Sequence, residues 1–522
     1  GIPGFSGGFV GVDVFFVISG YLITSIIYRQ IRAGSFSLVG FYERRIRRII
    51  PALFAVMACC AIASPFFLYP EEYRHFARSL ITATLFVSSV QFRQESGYFD
   101  IDAHSKPLLH TWSLSVEELF YVFFPITLLL IARCCRSRRS LILWAVFFMS
   151  FLAAVGALYL DKDSKAAFYL AHFRAWEFLI GALLALSGTA ISRSRPVLDA
   201  LSIAGVLLIA VAVFGYSETT TFPGFAALIP CLGAALVILA GQHRPSLAGR
   251  ILSRRPFVMT GLTSYSLYLW HWPLFVFVSL WLGRRPTIWE AALLVVASFG
   301  LALFSWRYIE RPFRGKSGFF SRGTLFGLSA GAATLMISVG LHGELTEGWL
   351  SRYPEAVATI LAAGEDRDAR QKECLSTARD ARGCLYGKQG TNPTIALWGD
   401  SIAAAYAVML GDLVEDREES LLALTMPACP PAPGWQIEYQ EWRESCERFQ
   451  TFAMRKLLET EAIHTVFLAA NFAAYVEISE NQEGFRDDFY RTIDSLLITG
   501  KKVVIVYPFP PIDPPTFRNL IR

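Results

Sequence analysis

Runs of about 20 mostly apolar residues, the length that crosses ~30 Å of hydrocarbon, dominate the first two thirds of this chain. They recur ten times, near 8–28, 49–69, 113–132, 140–160, 172–188, 197–215, 224–241, 257–282, 288–309 and 324–342. Such a pattern leaves one solution in lipid: helices, which satisfy their backbone hydrogen bonds internally. The whole chain of 522 residues is 54% hydrophobic and 17% charged, which excludes a soluble enzyme and a disordered chain. Its net charge of +5, from 48 basic and 43 acidic residues, argues neither for nucleic acid nor for an acidic substrate.

The placement of the charges is more informative than their sum. Basic residues concentrate in the connections 29–48, 133–139, 189–196, 242–256 and 310–323, while alternate connections such as 161–171 and 216–223 are poor in arginine. The positive-inside rule therefore places the basic set in the cytoplasm. Both 29–48 and 133–139 must lie on that side, and the runs 49–69 and 113–132 already supply the two crossings between them. The polar-interrupted run 75–92 is accordingly predicted not to span, and 70–112 to form an outward segment with an interfacial or re-entrant helix. The first run then enters from outside, so a further span is expected upstream of Gly1.

Beyond 342 the composition turns to Glu, Asp, Arg and Pro. Helical periodicity at Ala403 to Leu413 and Glu447 to Leu458 alternates with short strands at Thr394 to Trp398, Thr465 to Ala469 and Lys502 to Val506, the rhythm of an α/β sheet. Cys374, Cys384, Cys429 and Cys446 lie here, an even set suited to an oxidising space. Proximity favours Cys374–Cys384 and Cys429–Cys446, though four cysteines allow three pairings. The other five (Cys59, Cys60, Cys134, Cys135, Cys231) read as packing groups or reduced thiols. Zinc-ligand spacing and a phosphate-cradling glycine loop are both absent from the sequence, so no metal is expected.

Charges and polar groups inside apolar runs mark candidate chemistry. Asp13 and Ser19 sit in the first run among glycines that let another helix approach closely. Asp13 reads either as a carboxylate paired with an arginine for packing or as a direct participant. His110, Ser113 and Glu117 stand three to four residues apart and share one helix face, a suitable set for moving a proton from an external hydroxyl. Arg44, Arg45, Arg47 and Arg48 offer bidentate donors to a phosphate-bearing ligand, although topology alone accounts for basic charge there. Arg174 and Glu177, at i and i+3, read as an ion pair, and His271 as an interfacial residue. In the outer region, Gly399-Asp400-Ser401 follows a strand and opens a helix, which exposes a serine hydroxyl and aims helix N–H groups at an oxyanion.

The segments Gly8 to Leu22, Tyr42 to Pro51, His110 to Tyr121 and Tyr265 to Pro273 together resemble the acyltransferase-3 family of membrane acyltransferases. The outer region resembles the SGNH hydrolase-like domain fused to it in bacterial O-antigen acetyltransferases. The resemblance implies a polytopic α-helical domain over 1–342, with ten spans present and eleven expected in full. A linker at 343–385 and a partial SGNH-like α/β domain at 386–522 would follow. It implies a multi-pass protein of the bacterial inner membrane, its C-terminal domain in the periplasm. Acetyl would pass from cytoplasmic acetyl-CoA to hydroxyls of an envelope polysaccharide such as O-antigen. By resemblance the four arginines would hold CoA phosphates, Glu117 and His110 would serve acyl transfer or the acceptor, and Ser401 would be the SGNH nucleophile. Gly434 and Asn471 are oxyanion candidates. Ile402 stands where the SGNH block carries histidine. The family's Arg-x10-His motif is expected upstream of Gly1, and the SGNH Asp/His block beyond Arg522. The rival class is a polytopic transporter or flippase with an outer glycan-binding domain. A narrower alternative keeps the enzyme with peptidoglycan or exopolysaccharide as acceptor, or succinyl as the donated group.

Overall fold

The computed structural model describes residues 6–507 except 96–104, 135–137, 161–162, 188–193, 218–219, 243–244, 315–319, 364–369, 377–379, 389, 436–439 and 479–481. The chain divides into two compact units, 1–354 and 355–522.

The first unit is helical throughout: α1 (Gly11–Arg32), α2 (Leu38–Phe67), α3 (Pro70–Thr84), α4 (Ser88–Gln94), α5 (Thr111–Cys134), α6 (Arg139–Tyr159), α7 (Ser164–Tyr169), α8 (Ala171–Leu186), α9 (Arg195–Gly215), α10 (Gly224–Gly241), α11 (Leu247–Leu252), α12 (Arg255–Leu282), α13 (Ile288–Ser305), α14 (Arg311–Arg314) and α15 (Arg322–Leu345). A π-helical turn, Trp306–Glu310, joins α13 to α14. Among the described residues, eight helices are long and apolar enough to cross a membrane. The ten expected runs are all helical, but two fall outside that set. Helix α8 is only 16 residues long and carries Arg174 and Glu177, and α12 is long but interrupted by polar residues along its length.

The run 75–92 breaks into α3 and α4 at Phe86, whose φ of 56° ends the first helix. Neither piece is long enough to span. Ser88, Ser89 and Gln91 are buried, with the Ser88 N–H donating to Ser115 Oγ of α5 at 3.1 Å and the two serine hydroxyls 2.7 Å apart. Cysteines placed at Ser88 or Gln91 would therefore be shielded from label on either side, so these positions cannot report the sidedness of the segment.

Contacts between connections sort the two ends of the bundle. Arg139 packs on Tyr28, its guanidinium 4.9 Å from the ring centroid, and Glu43 of α2 accepts from Arg322 at the start of α15. The basic connections 29–48, 133–139 and 310–323 thus meet at one end. At the other, Arg93 of α4 pairs with Asp163 ahead of α7 at 2.9 Å.

Helices α1 and α8 cross at glycines. A methyl group at Gly20 would overlap the Phe178 carbonyl, and one at Gly181 would overlap Val17 O and Tyr21 N. The small residues of the first run therefore do what membrane packing asks of them, bringing two backbones into contact.

The second unit begins with α16 (Glu355–Ala363) and α17 (Gln371–Cys374). It then builds a five-stranded sheet from β1 (Cys384–Gly387), β2 (Ile395–Gly399), β3 (Ser420–Thr425), β4 (Thr465–Ala469) and β5 (Lys502–Val506), in the order β1-β3-β2-β4-β5. All pairs are parallel except β1 with β3. Helix α18 (Ser401–Glu415) follows β2, α19 (Gln440–Glu459) follows β3, and α20 (Phe472–Ile478) and α21 (Gln482–Ile498) lie between β4 and β5. The sequence pattern marks three of these strands. It misses β1 and β3, and β3 is a fully buried six-residue strand whose four central residues form an apolar run that periodicity alone does not distinguish from a helix segment. Both disulfides form as expected, Cys374–Cys384 and Cys429–Cys446. Cys60 and Cys231 are buried thiols, Cys59 and Cys134 are exposed ones, and Cys135 lies outside the described residues.

Candidate active sites in the two units

Helix α5 carries a column of polar groups from one end of the first unit toward the other. Glu117 is buried, and its Oε1 accepts from Ser19 Oγ of α1 at 2.7 Å and from the Tyr121 hydroxyl one turn along. Arg45 of α2 lays its guanidinium 5.4 Å from the Tyr121 ring centroid and 5.6 Å from that of Phe41. Its Nε is buried with no hydrogen-bond partner among the described residues, and so is Oε1 of Glu118. The column therefore joins the Glu117 carboxylate to the Ser19 and Tyr121 hydroxyls, with Arg45 from the basic end over the Tyr121 ring.

The other end of the column is built around Tyr268. Its hydroxyl donates to the His110 carbonyl at 2.6 Å and lies 2.5 Å from Ser113 Oγ. The His110 and His271 rings sit 6.0 Å apart. His271 Nδ1 is tied to Tyr268 O at 2.7 Å, while both ring nitrogens of His110 are buried without a hydrogen-bond partner among the described residues. Burial first, then the neighbouring His271, holds His110 well below the usual histidine pKa, so its ring is neutral near pH 7. Helical rise puts His110 and Tyr121 roughly 16 Å apart, about half the hydrocarbon thickness. His110, Ser113 and Glu117 do share one face, but two hydrogen-bonded groups form along it: His110 and Ser113 around Tyr268, and Glu117 with Ser19 and Tyr121. Tyr121 and Tyr268 were not singled out by sequence. Their signal was the i, i+4 spacing of Glu117 to Tyr121 and the i, i+3 spacing of Tyr268 to His271.

A third polar group lies where α1 meets α8. Arg174 Nη2 donates to Asp13 Oδ1 at 2.8 Å, and its Nε lies 3.1 Å from Glu177 Oε1. All three side chains are essentially inaccessible. The rings of Phe16, Trp112, Phe168 and Phe222 surround the guanidinium at 5.6–5.8 Å. Asp13, Glu177 and Cys231 bring ligand-type atoms within 4.8 Å of one another, but the guanidinium between the carboxylates supplies the cation. This arrangement gives Asp13 the packing partner considered from sequence, and the partner is Arg174.

The four arginines of α2 do not form one patch. Arg47 donates to Glu43 and to Phe320 O, and Arg44 to Gln30 Oε1 at 3.3 Å. Arg45 turns inward, and Arg48 is exposed with no hydrogen bond or ion pair recorded among the described residues. At about 100° per residue the four fan over roughly 160° of the helix surface, with members three or four apart sharing a face, so what separates them is their partners rather than their directions.

In the second unit, Asp400 and Ser401 sit at the carboxyl end of β2, with β3 on one side and β4 on the other. Chain connections leave β2 in opposite directions at that point, where open α/β sheets hold their ligands. Asp400 caps α18: Oδ1 accepts from Ile402 N at 2.8 Å, while Oδ2 accepts from Asn471 N at 3.0 Å and from the Tyr475 hydroxyl at 2.8 Å. Its carboxylate is thus spent on holding the strand-to-helix turn beside Ser401. Asn471 commits its N–H to Asp400 and its Oδ1 to Ala474 N at 3.4 Å. Gly434, at φ 109°, lies against the Asp488 carboxylate, which an added methyl would meet at 2.9 Å. His464, the single histidine of 355–522, is at the amino end of β4, bonded through its backbone to Thr394 and Lys502. It is at the opposite end of the parallel strands from Ser401.

Residues 2–307 match the acyltransferase domain family, and residues 370–522 match the SGNH domain that is fused to such domains. The chain belongs to the acyltransferase-domain family. It is 34% identical over 330 residues to a peptidoglycan O-acetyltransferase of Listeria monocytogenes and 31% identical over 330 residues to an O-acetyltransferase of Staphylococcus aureus. These matches cover 60% of this chain and 52% and 54% of the relatives, so it spans about half their length. An uncharacterized Haemophilus influenzae protein is 37% identical over 237 residues, 44% of this chain and 96% of its own. No solved structure matches significantly.

Proposed function

We propose that this chain is a membrane O-acetyltransferase that takes an acetyl group from acetyl-CoA at the basic end of the helical unit and delivers it to a hydroxyl of a cell-envelope polysaccharide. The observation that carries the reading is the polar column along α5, which begins at Arg45 and Tyr121 and ends at His110 and His271. Arg45 and Arg48 suit the phosphates of a CoA donor because guanidinium groups bind them bidentately. A neutral His110 with unpartnered ring nitrogens can accept the acceptor's hydroxyl proton. In the cell this arrangement corresponds to an inner-membrane protein with the basic end in the cytoplasm and the SGNH unit in the periplasm.

The acceptor class supported by membership in this family is an envelope glycan. O-antigen follows from the resemblance of the fused architecture, and peptidoglycan from the Listeria relative, a peptidoglycan O-acetyltransferase. Transfer is either direct or through an acyl group carried on Ser401. Radiolabelled acetyl-CoA, the full-length protein in vesicles, and O-antigen and peptidoglycan fragments as separate acceptors test this directly. Acetyl appearing on one glycan identifies the acceptor, and acetyl on neither, without acetyl-CoA hydrolysis, rejects the enzyme in favour of a transporter. Replacing Ser401→Ala decides the route, because unchanged glycan acetylation eliminates the serine intermediate.

A further inference from the structure

The run Lys106 to His110, just ahead of α5, carries the histidine at the acceptor end of the polar column. Both ring nitrogens of His110 are buried without a hydrogen-bond partner among the described residues. Its ring packs edge-on against Tyr268 and His271, at centroid distances of 5.5 and 6.0 Å, but no bond of its own steers it. The imidazole therefore stands where its backbone places it. That backbone is tied twice to α12: the Tyr268 hydroxyl donates to His110 O at 2.6 Å, and the Trp272 indole N–H, one turn along, donates to Lys106 O at 2.8 Å.

Lys106 extends the attachment to other elements. Its ammonium is buried and donates to the Glu95 carbonyl at 2.8 Å and to Glu95 Oε2 at 3.2 Å. Glu95 closes the end of α4, where its Oε1 accepts from Gln91 Nε2 at 2.8 Å and lies 3.0 Å from His75 Nδ1 of α3. Gln91 in turn donates to Ser79 Oγ of α3 at 3.1 Å. One lysine thus joins α3 and α4 through its side chain and α12 through its carbonyl, four residues before His110. A buried lysine–glutamate pair is a poor source of net stability, because desolvation offsets the attraction. What it supplies is direction, since the ammonium must meet a carbonyl and a carboxylate together.

We infer that Lys106, anchored by Glu95, is a positioning residue for His110: it fixes the backbone from 106 to 110 between α4 and α12, so that the imidazole is held in place to take the acceptor's hydroxyl proton. The inference rests on the proposed use of His110 as that base and adds what orients it. Small displacements of a catalytic group cost up to about 100-fold in rate. Tyr121, at the donor end of the column, lies roughly 16 Å from His110 along α5, so loosening Lys106 slows transfer and leaves acetyl-CoA binding intact.

The test measures acetyl transfer by the full-length protein in vesicles, with radiolabelled acetyl-CoA and with O-antigen and peptidoglycan fragments as acceptors, alongside solid-state NMR of histidine-labelled protein. Lys106→Met should lower kcat about tenfold or more while the KM for acetyl-CoA stays within about twofold. It should also move the ring signal that disappears in His110→Gln. Lys106→Arg, which keeps a cation for Glu95, should recover part of both. Glu95→Gln should show the same changes in smaller measure, and it carries the test if Lys106→Met does not fold. Wild-type kcat in Lys106→Met, an unmoved His110 signal, or a KM that rises as kcat falls overturns the inference and leaves the acyltransferase reading intact. Full activity of His110→Gln overturns the role of His110 and the inference together.

Discussion

Replacing Arg174→Met tests whether the buried cluster between α1 and α8 is an ion pair that holds the bundle. The guanidinium is fully buried, donates to Asp13 at 2.8 Å, lies 3.1 Å from Glu177 and is ringed by four aromatic side chains. Methionine fills similar volume but supplies no charge, so Asp13 and Glu177 remain buried without a counter-ion. Removing one partner of a buried pair costs about 3–5 kcal/mol, and the lost cation–π contacts add about 1–2 kcal/mol in a desolvated setting. Part of this returns through apolar contacts of the methionine, giving about 4 kcal/mol in all. Denaturant titration in detergent should show the loss. The triple change Asp13→Asn, Arg174→Met and Glu177→Gln, which leaves no buried charge, should recover most of it. Stability of Arg174→Met equal to wild type, or a triple variant no better than the single one, would refute the reasoning.

Four further outcomes are expected. Gly181→Ala should destabilise by about 3 kcal/mol because its methyl meets the backbone of α1, whereas Gly156→Ala in α6, with open space at that position, should be neutral or gain up to about 1 kcal/mol; thermal melts of the two compare them. Stability should fall as pH drops below about 6.5, because the unfolded chain takes up a proton at His110 that the folded protein, with its lowered pKa, refuses. His110→Gln should make that fall shallower, and an unchanged slope in a melting series from pH 8 to 5 would count against it. Asp400→Ala removes the acceptor of three hydrogen bonds at the strand-to-helix turn and should cost about 2–4 kcal/mol; local hydrogen exchange at 471–475 reads it. Replacing Cys429 and Cys446 by alanine should cost about 3 kcal/mol for a loop of this length, measured as a shift in the denaturant midpoint of the second unit.

The sequence by itself settled the features that depend on local pattern. Apolar runs place the long helices, because lipid leaves the backbone no other way to satisfy its hydrogen bonds. The polar interruptions in 75–92 argue against a span there, and the chain does break at Phe86. Short separations predicted the disulfides Cys374–Cys384 and Cys429–Cys446. The strand-turn-helix around Asp400 and Ser401 was visible because Asp at a helix start is both a cap and a motif residue. Partnership between distant segments was decided only in three dimensions. Asp13 could be seen to need a counter-ion, but Arg174 became that ion because Gly20 and Gly181 let α1 and α8 touch. Arg44, Arg45, Arg47 and Arg48 look like one group when written in a line. The fold gives them different partners, Gln30 for Arg44, Glu43 for Arg47 and the Tyr121 ring for Arg45. Local pattern follows from the chemistry of neighbouring residues. Which side chains share a buried space follows from how closely backbones can approach, and only the packed fold sets that.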